Sequence, residues 1–234
     1  MTGGQVSSEG YLSRQLMTRY RFDPDTIHQI AVQHIGLPHQ QLFEQITAAL
    51  DLQYPGLISR DLPWIFSNAG GAMIQIKLLH ASFNEYILLF GTPVGTEGHS
   101  GRHRVEFYDT VLDGEAWYYH EGQFERDVYT TGSRIFVGRG QSAGMHIPDH
   151  VWMIEYARGA LGLSLPFGLA DSVLSTLDYL TVWRTLVTYA RLIARTQRSP
   201  FSSTLLARLL GAGFLVLSFL TFLRAARRER TSHR

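Results

Sequence analysis

The sequence predicts an α+β protein, in which a small β-barrel is flanked by helices and followed by a C-terminal membrane-anchoring helix. Two observations predict the barrel. Short apolar segments recur after residue 64, and turn signals separate them at roughly 8–12-residue intervals, which favours a β-sandwich or a closed barrel over a βαβ sheet, and we interpret it as a small barrel. A third observation, the uncharged apolar run Leu209–Leu223, predicts the membrane helix.

The composition is that of a globular protein with few charged residues. Of 234 residues, 45% are hydrophobic and 18% charged, and 21 Lys and Arg nearly balance 20 Asp and Glu, for a net charge of +1. Nucleic-acid-binding proteins normally carry a basic field, so no nucleic-acid partner is expected. The absence of cysteine excludes disulfides, thiolate metal sites and cysteine nucleophiles.

The N-terminal part is predicted to be a polar lead-in followed by two helices. Residues 1–21 lack the apolar centre of a secretory signal, so we expect a disordered or extended segment, with an organelle-targeting segment as the alternative. Residues 22–60 contain both helices. Asp23-Pro24 is an N-cap followed by a first helical position, and the second helix covers about Pro38 to Leu52.

Residues 61–165 are predicted to form the barrel. The segments within this range are alternating or continuously apolar, which is typical of strands, and turn signals such as Asp113-Gly114 lie between them. The predicted strands are MIQIKLL, EYILLFG, RVEFYDTVL, AWYYH, DVYTT, RIFVG and VWMIEYA.

Residues 166–200 are predicted to be amphipathic helices next to a membrane. Ser175 to Asp178 has the form of a capping box for the longer helix. Apolar residues such as Val182 and Leu186 lie opposite an arginine face on that helix, which fits either a membrane surface or packing on the barrel with the arginines in water. The arginines of this face are Arg184, Arg191, Arg195 and Arg198.

Residues 204–224 are predicted to span a membrane, because about twenty predominantly apolar residues approach the length needed to cross ~30 Å of hydrocarbon. The side chain of Arg208 would extend to the interface. A basic tail follows at residues 225–234, and arginines also precede the span. The positive-inside rule therefore leaves the orientation open.

Signatures of phosphate or metal chemistry are weak. Gly91 to Gly98 is glycine-rich but lacks the Gly-Lys-Ser/Thr ending of a P-loop, so we predict a strand connection. His99, His103 and Glu106 are residue types that bind metals, but strand alternation separates their side chains and no metal is expected. His80 is predicted to be a hydrogen-bonded core histidine.

Two carboxylic acids are predicted inside the barrel. Glu155 lies in the apolar run Val151–Gly159, where an unpaired carboxylate is energetically costly. Period-two alternation places Asp109 on the same strand face as Val105 and Val111. A close pair of buried carboxyls shares a proton and can both donate and accept protons. The alternative is that one or both bind loop amides or pair with an arginine.

Four long segments resemble one protein family. The segments are WIFSNAGGAM, LLHASFNEYILLFGTPVGTEGHSGR, WMIEYARG and LPFGLADSVLSTLDYLTVWRTLVTYAR. From about Phe22 to Arg195 the chain resembles the family that contains fungal Δ8–Δ7 sterol isomerase and the sigma non-opioid receptor. The resemblance implies a cupin-like barrel around an apolar ligand cavity, helices that lie against the membrane, and a homotrimer.

The resemblance also implies a site. The family's ligand-anchoring glutamate corresponds to Glu155 and its partner aspartate to Asp109, which are the predicted catalytic residues and also contact the ligand. Aromatic residues are predicted to line or support the pocket. They are Tyr86, Phe90, Phe107 and Trp152.

The function expected from this resemblance is sterol Δ8–Δ7 isomerisation in the endoplasmic reticulum membrane, without a cofactor. A neutral carboxyl would protonate C9 and a carboxylate would remove a proton from C7, with Glu155 as the principal acid and base and Asp109 sharing its proton. Sterols or cationic amphiphilic amines are the expected ligands. The alternative is a sigma-receptor-like, non-catalytic ligand-binding or scaffolding protein, including a subunit of a larger membrane assembly. The stretches FSNAGGAM, GTPVGTEGH and LPFGLADS favour the isomerase.

The chain also departs from the family pattern. Family members usually carry an N-terminal membrane helix, whereas the apolar run here is Leu209–Leu223. This difference leaves a mitochondrial membrane as the alternative compartment. Val137 stands where the sigma receptor has a histidine, and some fungal isomerases differ at the position of Asp109.

Overall fold

The computed structural model describes residues 20–198, so most of the lead-in, the predicted membrane span and the basic tail lie outside the described residues. The helices are α1 (Pro24–Val32), α2 (His39–Gln53), α3 (Leu165–Leu174) and α4 (Tyr179–Arg198), with a 3-10 turn at Leu161–Leu163. The strands are β1 (Ile65–Ala69), β2 (Ala72–Ala81), β3 (Glu85–Thr92), β4 (Thr96–His99), β5 (Val105–His120), β6 (Asp127–Thr130), β7 (Arg134–Val137), β8 (Ala143–Ile147) and β9 (Val151–Gly159).

These strands form an antiparallel, nearly closed barrel flanked by helices. Neighbouring strands follow the order β1-β2-β3-β9-β5-β8-β4, and β6 and β7 both pair with β5. The first half of β5 pairs with β9 and β7, whereas its second half pairs with β8 and β6. The long strand β5 therefore connects the two parts of the barrel wall.

One predicted turn is instead a β-bulge. Asp113-Gly114 lies inside β5, so the prediction of two strands separated by a turn is wrong at this point. The pairing with β9 shifts between Val111 and Asp113. Gly114 has a φ of +88°, and a Cβ at this position would lie 2.2 Å from the His150 carbonyl oxygen. Glycine satisfies both constraints, because it tolerates a positive φ and a close backbone approach.

Three strands were not visible in the sequence pattern. β1, β4 and β8 have four or five residues each, and at most two of them are buried. Short strands with so little burial produce no apolar alternation. Part of the predicted connection from Gly91 to Gly98 is therefore strand, since its first two residues belong to β3 and its last three to β4.

Glu85 holds the segment that leads into α1. Its carboxylate accepts hydrogen bonds from the backbone nitrogens of Arg21, at 2.8 and 3.0 Å, and of Phe22, at 3.2 Å, and from the Tyr156 hydroxyl, at 2.8 Å. The helix itself starts as predicted, because Asp23 caps it through Thr26 N at 2.9 Å. Glu85 therefore has the structural role, binding of backbone amides, that was the alternative for the other two acids.

α4 packs on the barrel through a face that combines apolar residues and threonines. Val182 and Leu192 are buried, as predicted, whereas Leu180 and Trp183 are 57% and 52% exposed. The hydroxyl of Thr196 donates to the carbonyl oxygen of Ala81 in β2 at 3.1 Å. The buried threonines of this helix are Thr181, Thr185, Thr188 and Thr196. Arg184, Arg191, Arg195 and part of the apolar surface of α4 are exposed.

The start of α4 also differs from the prediction. Asp178 caps the helix by accepting a hydrogen bond from Thr181 N at 3.0 Å, so the capping box predicted at Ser175 is wrong. Leu177 has a φ of +53°, which separates α3 from α4. Between residues 20 and 198 no helix is long and apolar enough to cross a membrane. The anchor at residues 204–224 stays a prediction.

His80 is a core histidine, as predicted. The residue is fully buried, its Nδ1 lies 2.9 Å from the Leu57 carbonyl oxygen, and its ring packs edge-on against Phe22 at 4.6 Å. Because a carbonyl only accepts, Nδ1 carries the hydrogen and Nε2 is the bare nitrogen. Burial lowers the pKa of His80 from 6.5 to about 4. The neutral ring is therefore part of the folded core.

This histidine predicts a loss of stability in acid. A lowered pKa means that His80 binds a proton more tightly in the unfolded chain than in the folded protein. The contribution of neutral His80 to the free energy of unfolding is therefore complete above pH 6.5 and is lost as the pH falls towards 4. The shift corresponds to about 3 kcal/mol. Urea unfolding at pH 7 and pH 4 should show this loss in the wild type and a much smaller loss in His80→Asn, whose amide keeps a donor for Leu57. His146→Asn, at a half-exposed histidine, is the control. An acid loss in His80→Asn equal to that of the wild type would contradict the assignment.

Candidate functional site

The barrel encloses a cavity of about 230 Å³. Most of its lining is aliphatic or aromatic, and the strands supply one part of the wall while the 3-10 turn, α3 and α4 supply the rest. Tyr86, Leu88 and Phe90 point into it from β3, since alternate residues of a strand share a face. Phe167 of α3 and Tyr189 of α4 close it on the helical side.

The two predicted acids meet at this cavity. Asp109 of β5 and Glu155 of β9 are directly opposite each other in the antiparallel ladder, and both line the cavity. The Tyr86 hydroxyl donates to Glu155 Oε1 at 2.5 Å. Asp109 is only 4% exposed, whereas Glu155 keeps part of its side-chain surface open to the cavity. The antiparallel register thus brings together two acids that are 46 residues apart in the sequence.

The environments of the two acids separate their protonation states. Burial first, and then the Glu155 charge, raise the pKa of Asp109 well above its usual range. Burial also raises the pKa of Glu155, but the hydrogen bonds from Tyr86 and Asp109 act in the opposite direction. Asp109 therefore holds the proton and donates it to Glu155 in a hydrogen bond, while Glu155 carries the negative charge.

Among residues 20–198, neither acid has an arginine partner, because no ion pair there includes Asp109 or Glu155. Asp109 Oδ1 is buried without a hydrogen-bond partner. A buried carboxylate that lacks a cation is stabilised when a positive charge enters the cavity. The arrangement can therefore bind a cation, donate a proton from Asp109 and accept one at Glu155.

The structure places one predicted pocket residue elsewhere. Phe90 and Phe107 line the cavity, whereas Trp152 does not. Trp152 is three positions from Glu155 in β9, and alternation therefore turns it to the outer face. There its ring lies 5.3 Å from that of Phe43 and 5.5 Å from that of Trp64. Trp152 supports the barrel against α2 and is not in contact with the ligand space.

Several lining residues were not predicted. Tyr118 lies in the second half of β5, after the bulge, where alternation shifts by one residue. Counting by two from Asp109 therefore assigns Tyr118 to the outer face, although both residues line the cavity. Tyr189 lies on the inner side of α4 and was not among the residues predicted to line the cavity. Only the bulge signal at Asp113-Gly114 could have indicated the change of face.

The residues considered for a metal do not converge. His99 and His103 line the cavity, whereas Glu106 is turned to the other side of β5 and forms ion pairs with Arg158, at 2.7 Å, and Arg139, at 3.1 Å. For the part of the chain that the structure describes, no group of three or more histidine, aspartate and glutamate side chains has the geometry of a metal site.

Comparison with known proteins agrees with this architecture. The chain matches the family model described as ERG2 and Sigma1 receptor like protein over residues 6–197. It is 41% identical to the sigma non-opioid intracellular receptor 1 of Gallus gallus over 189 residues, covering 80% of this chain and 85% of that protein. It is 38% identical to the C-8 sterol isomerase erg2 of Aspergillus fumigatus over 196 residues, covering 82% of each.

Among solved structures, the barrel region is similar to cupins. A predicted oxalate decarboxylase from Thermotoga maritima matches with a TM-score of 0.38 and 14% identity, covering 44% of this chain and 97% of that one. An RmlC-like cupin from Shewanella frigidimarina matches with a TM-score of 0.37 and 20% identity, covering 44% and 95%. These partial likenesses carry no functional information. The family match, which covers most of the chain, shows that the protein belongs to the family of ERG2 and sigma-1 receptor-like proteins.

Proposed function

We propose that the protein is a sterol Δ8–Δ7 isomerase that works without a cofactor. The observation that carries this proposal is the pair formed by a neutral Asp109 and an ionised Glu155 at the wall of an apolar cavity. Moving a carbon–carbon double bond by one position requires one proton to be added and another removed. The pair supplies one group for each task.

The proton transfers balance within the pair. Asp109 gives its proton to C9 of the Δ8 sterol, which breaks the double bond and leaves a cation at C8. Glu155 takes a proton from C7, and the electrons of that C–H bond form the Δ7 double bond. The Glu155 carboxylate stabilises the C8 cation until then. The pair ends with one proton, as it began, and their shared hydrogen bond allows the proton to return to Asp109.

The apolar wall protects this intermediate. Side chains such as Phe90 and Leu88 border the acids and exclude water, which would otherwise add to the cation. Tyr86 keeps its hydroxyl hydrogen, because burial raises its pKa and the Glu155 charge adds to that effect. Its hydrogen bond orients the Glu155 carboxylate. A cationic amphiphilic amine should bind in the same place, since it imitates the cation.

The helical side of the cavity supports a location against a membrane. α3, α4 and their connections line the cavity with one face and expose large apolar side chains on another. The exposed residues are Leu163, Leu174, Leu177, Leu180 and Trp183. We propose that this surface contacts lipid of the endoplasmic reticulum membrane, from which a sterol reaches the cavity without crossing water.

Complementation of an isomerase-deficient yeast tests the proposal directly. We expect the wild-type chain to restore Δ7 sterols, measured by mass spectrometry of extracted sterols, and Asp109→Asn expressed at the same level to restore far less. Accumulation of Δ8 sterols in cells that contain well-expressed, membrane-bound wild-type protein would contradict the isomerase.

That contradiction would favour the second candidate, a sigma-receptor-like protein that binds ligands without turnover. Its supporting observation is the similarity itself, because receptors named sigma non-opioid intracellular receptor 1 are 41% and 39% identical to this chain in Gallus gallus and Danio rerio. Binding of amines by the purified protein is expected for both candidates. Sterol turnover therefore separates them.

A further inference from the structure

Tyr118 is a buried phenol with a poor hydrogen-bond partner. It is 5% exposed and lines the cavity, and its hydroxyl donates to Met145 Sδ at 3.2 Å. A thioether sulfur is a weak acceptor, so this bond replaces only part of what the hydroxyl loses on leaving water. The hydroxyl is stabilised further if a stronger acceptor enters the cavity.

The ring of Tyr118 is held in position. Tyr118 and Met145 are direct neighbours across the β5–β8 ladder, and both side chains line the cavity. The Tyr129 ring packs edge-on against Tyr118, at 5.7 Å between centroids and 88° between planes. A phenol that is fixed in this way can redirect its hydroxyl hydrogen without moving the ring.

Tyr118 shares the cavity with the acid pair but belongs to a different part of the wall. Asp109 and Glu155 lie where β5 pairs with β9, whereas Tyr118 lies where β5 pairs with β8 and β6. Burial raises the pKa of Tyr118, and the neighbouring acid pair acts in the same direction, so Tyr118 remains a donor. A ligand that contacts the acids and fills the cavity brings a second part of its surface to Tyr118.

We propose that Tyr118 is a specificity-determining residue that recognises a hydroxyl group of the ligand, exchanging the sulfur of Met145 for the ligand oxygen. The inference rests on the proposed function, in which the substrate is a ring system with a hydroxyl group remote from the carbons that exchange protons. The acid pair recognises the developing positive charge, and Tyr118 recognises the oxygen. The two contacts together orient an otherwise apolar molecule.

Paired ligands test this recognition in the purified full-length chain. Binding of a 3-hydroxy Δ8-sterol and of its 3-deoxy analogue is measured for the wild type, Tyr118→Phe and Met145→Leu. The wild type should prefer the hydroxylated sterol by roughly fivefold to tenfold, which is the worth of one neutral hydrogen bond. Tyr118→Phe should bind both sterols equally and bind the deoxy sterol as the wild type does. Met145→Leu should increase the preference, because the competing acceptor is removed.

The outcomes separate this inference from the proposed function. An unchanged preference in Tyr118→Phe, an equal loss for both sterols, or no increase in Met145→Leu overturns the role of Tyr118. Amine binding at Glu155 by each variant reports whether the cavity is folded. If Tyr118→Phe does not bind the amine, the hydroxyl preference of Met145→Leu alone tests the role of Tyr118. A preserved hydroxyl preference without Δ7 product refutes the isomerase but not the recognition. Failure of the wild type to bind either sterol refutes both.

Discussion

Glu155→Gln should weaken the binding of a cationic amphiphilic amine by about 100-fold or more, because a buried charge pair loses one partner. Glutamine keeps the size of the side chain and can still accept the Tyr86 hydrogen bond at 2.5 Å, so the cavity should keep its shape. The same substitution should abolish isomerisation, since no carboxylate remains to take the C7 proton. Radioligand saturation binding and sterol analysis measure the two effects.

The matched control is Glu85→Gln, which changes a buried acid that is outside the cavity. Glu85 accepts hydrogen bonds from the backbone of Arg21 and Phe22 and from Tyr156, so its substitution should lower the unfolding temperature while the folded fraction still binds the amine. Glu155→Gln should show the opposite pattern, with stability kept or raised, because the folded protein no longer buries an ionised acid. Amine affinity that survives in Glu155→Gln would refute Glu155 as the cation-binding residue.

Asp109→Asn should separate binding from turnover. Asparagine is nearly the same size as a protonated aspartic acid and keeps a donor for Glu155, but it has no proton to transfer to carbon. We expect the isomerisation rate to fall about 10²- to 10⁴-fold, the usual contribution of a general acid. Amine affinity should stay within about tenfold of the wild type, because the Glu155 charge remains.

Single-turnover assays with a Δ8 sterol and equilibrium binding of the amine, on the same preparation, check this expectation. Asp113→Asn is the control, since Asp113 is a half-exposed acid of the same strand that pairs with His39 at 2.8 Å and His150 at 3.3 Å outside the cavity. Turnover that persists in Asp109→Asn would assign both proton transfers to Glu155. A parallel loss of amine binding would instead make Asp109 the charged partner.

Much of the site could be predicted because strand alternation is a local property. An acid at an inward position of an apolar strand, as at Asp109 and Glu155, has no route to water, so the burial of both acids followed from the pattern, whereas their shared proton required the register that sets them opposite each other. The placement of Tyr86 and Phe90 in the cavity agrees with the resemblance to the family. The buried histidine His80 was also predictable, since it stands in a continuously apolar segment.

Other features depended on contacts between distant parts of the chain. The bulge beside Gly114 shifts the alternation of β5, which is why Tyr118 joins the cavity although the count from Asp109 excludes it. Trp152 faces α2 because the helices cover one side of β9 and the cavity lies on the other. The inner face of α4 combines threonines with apolar residues such as Val182 and Leu192, whereas Leu180 and Trp183 are exposed, because the tertiary structure decides which side of the helix the barrel covers.

The residue order by itself determined that two acids lie within an apolar barrel, because alternation and hydrophobicity act over a few neighbouring residues. Only the tertiary structure decided which acid is neutral. The antiparallel register sets Asp109 opposite Glu155, and Tyr86 adds a second donor to Glu155 alone. Glu155, which accepts more hydrogen bonds, therefore carries the negative charge, and Asp109, which is more deeply buried, keeps the proton.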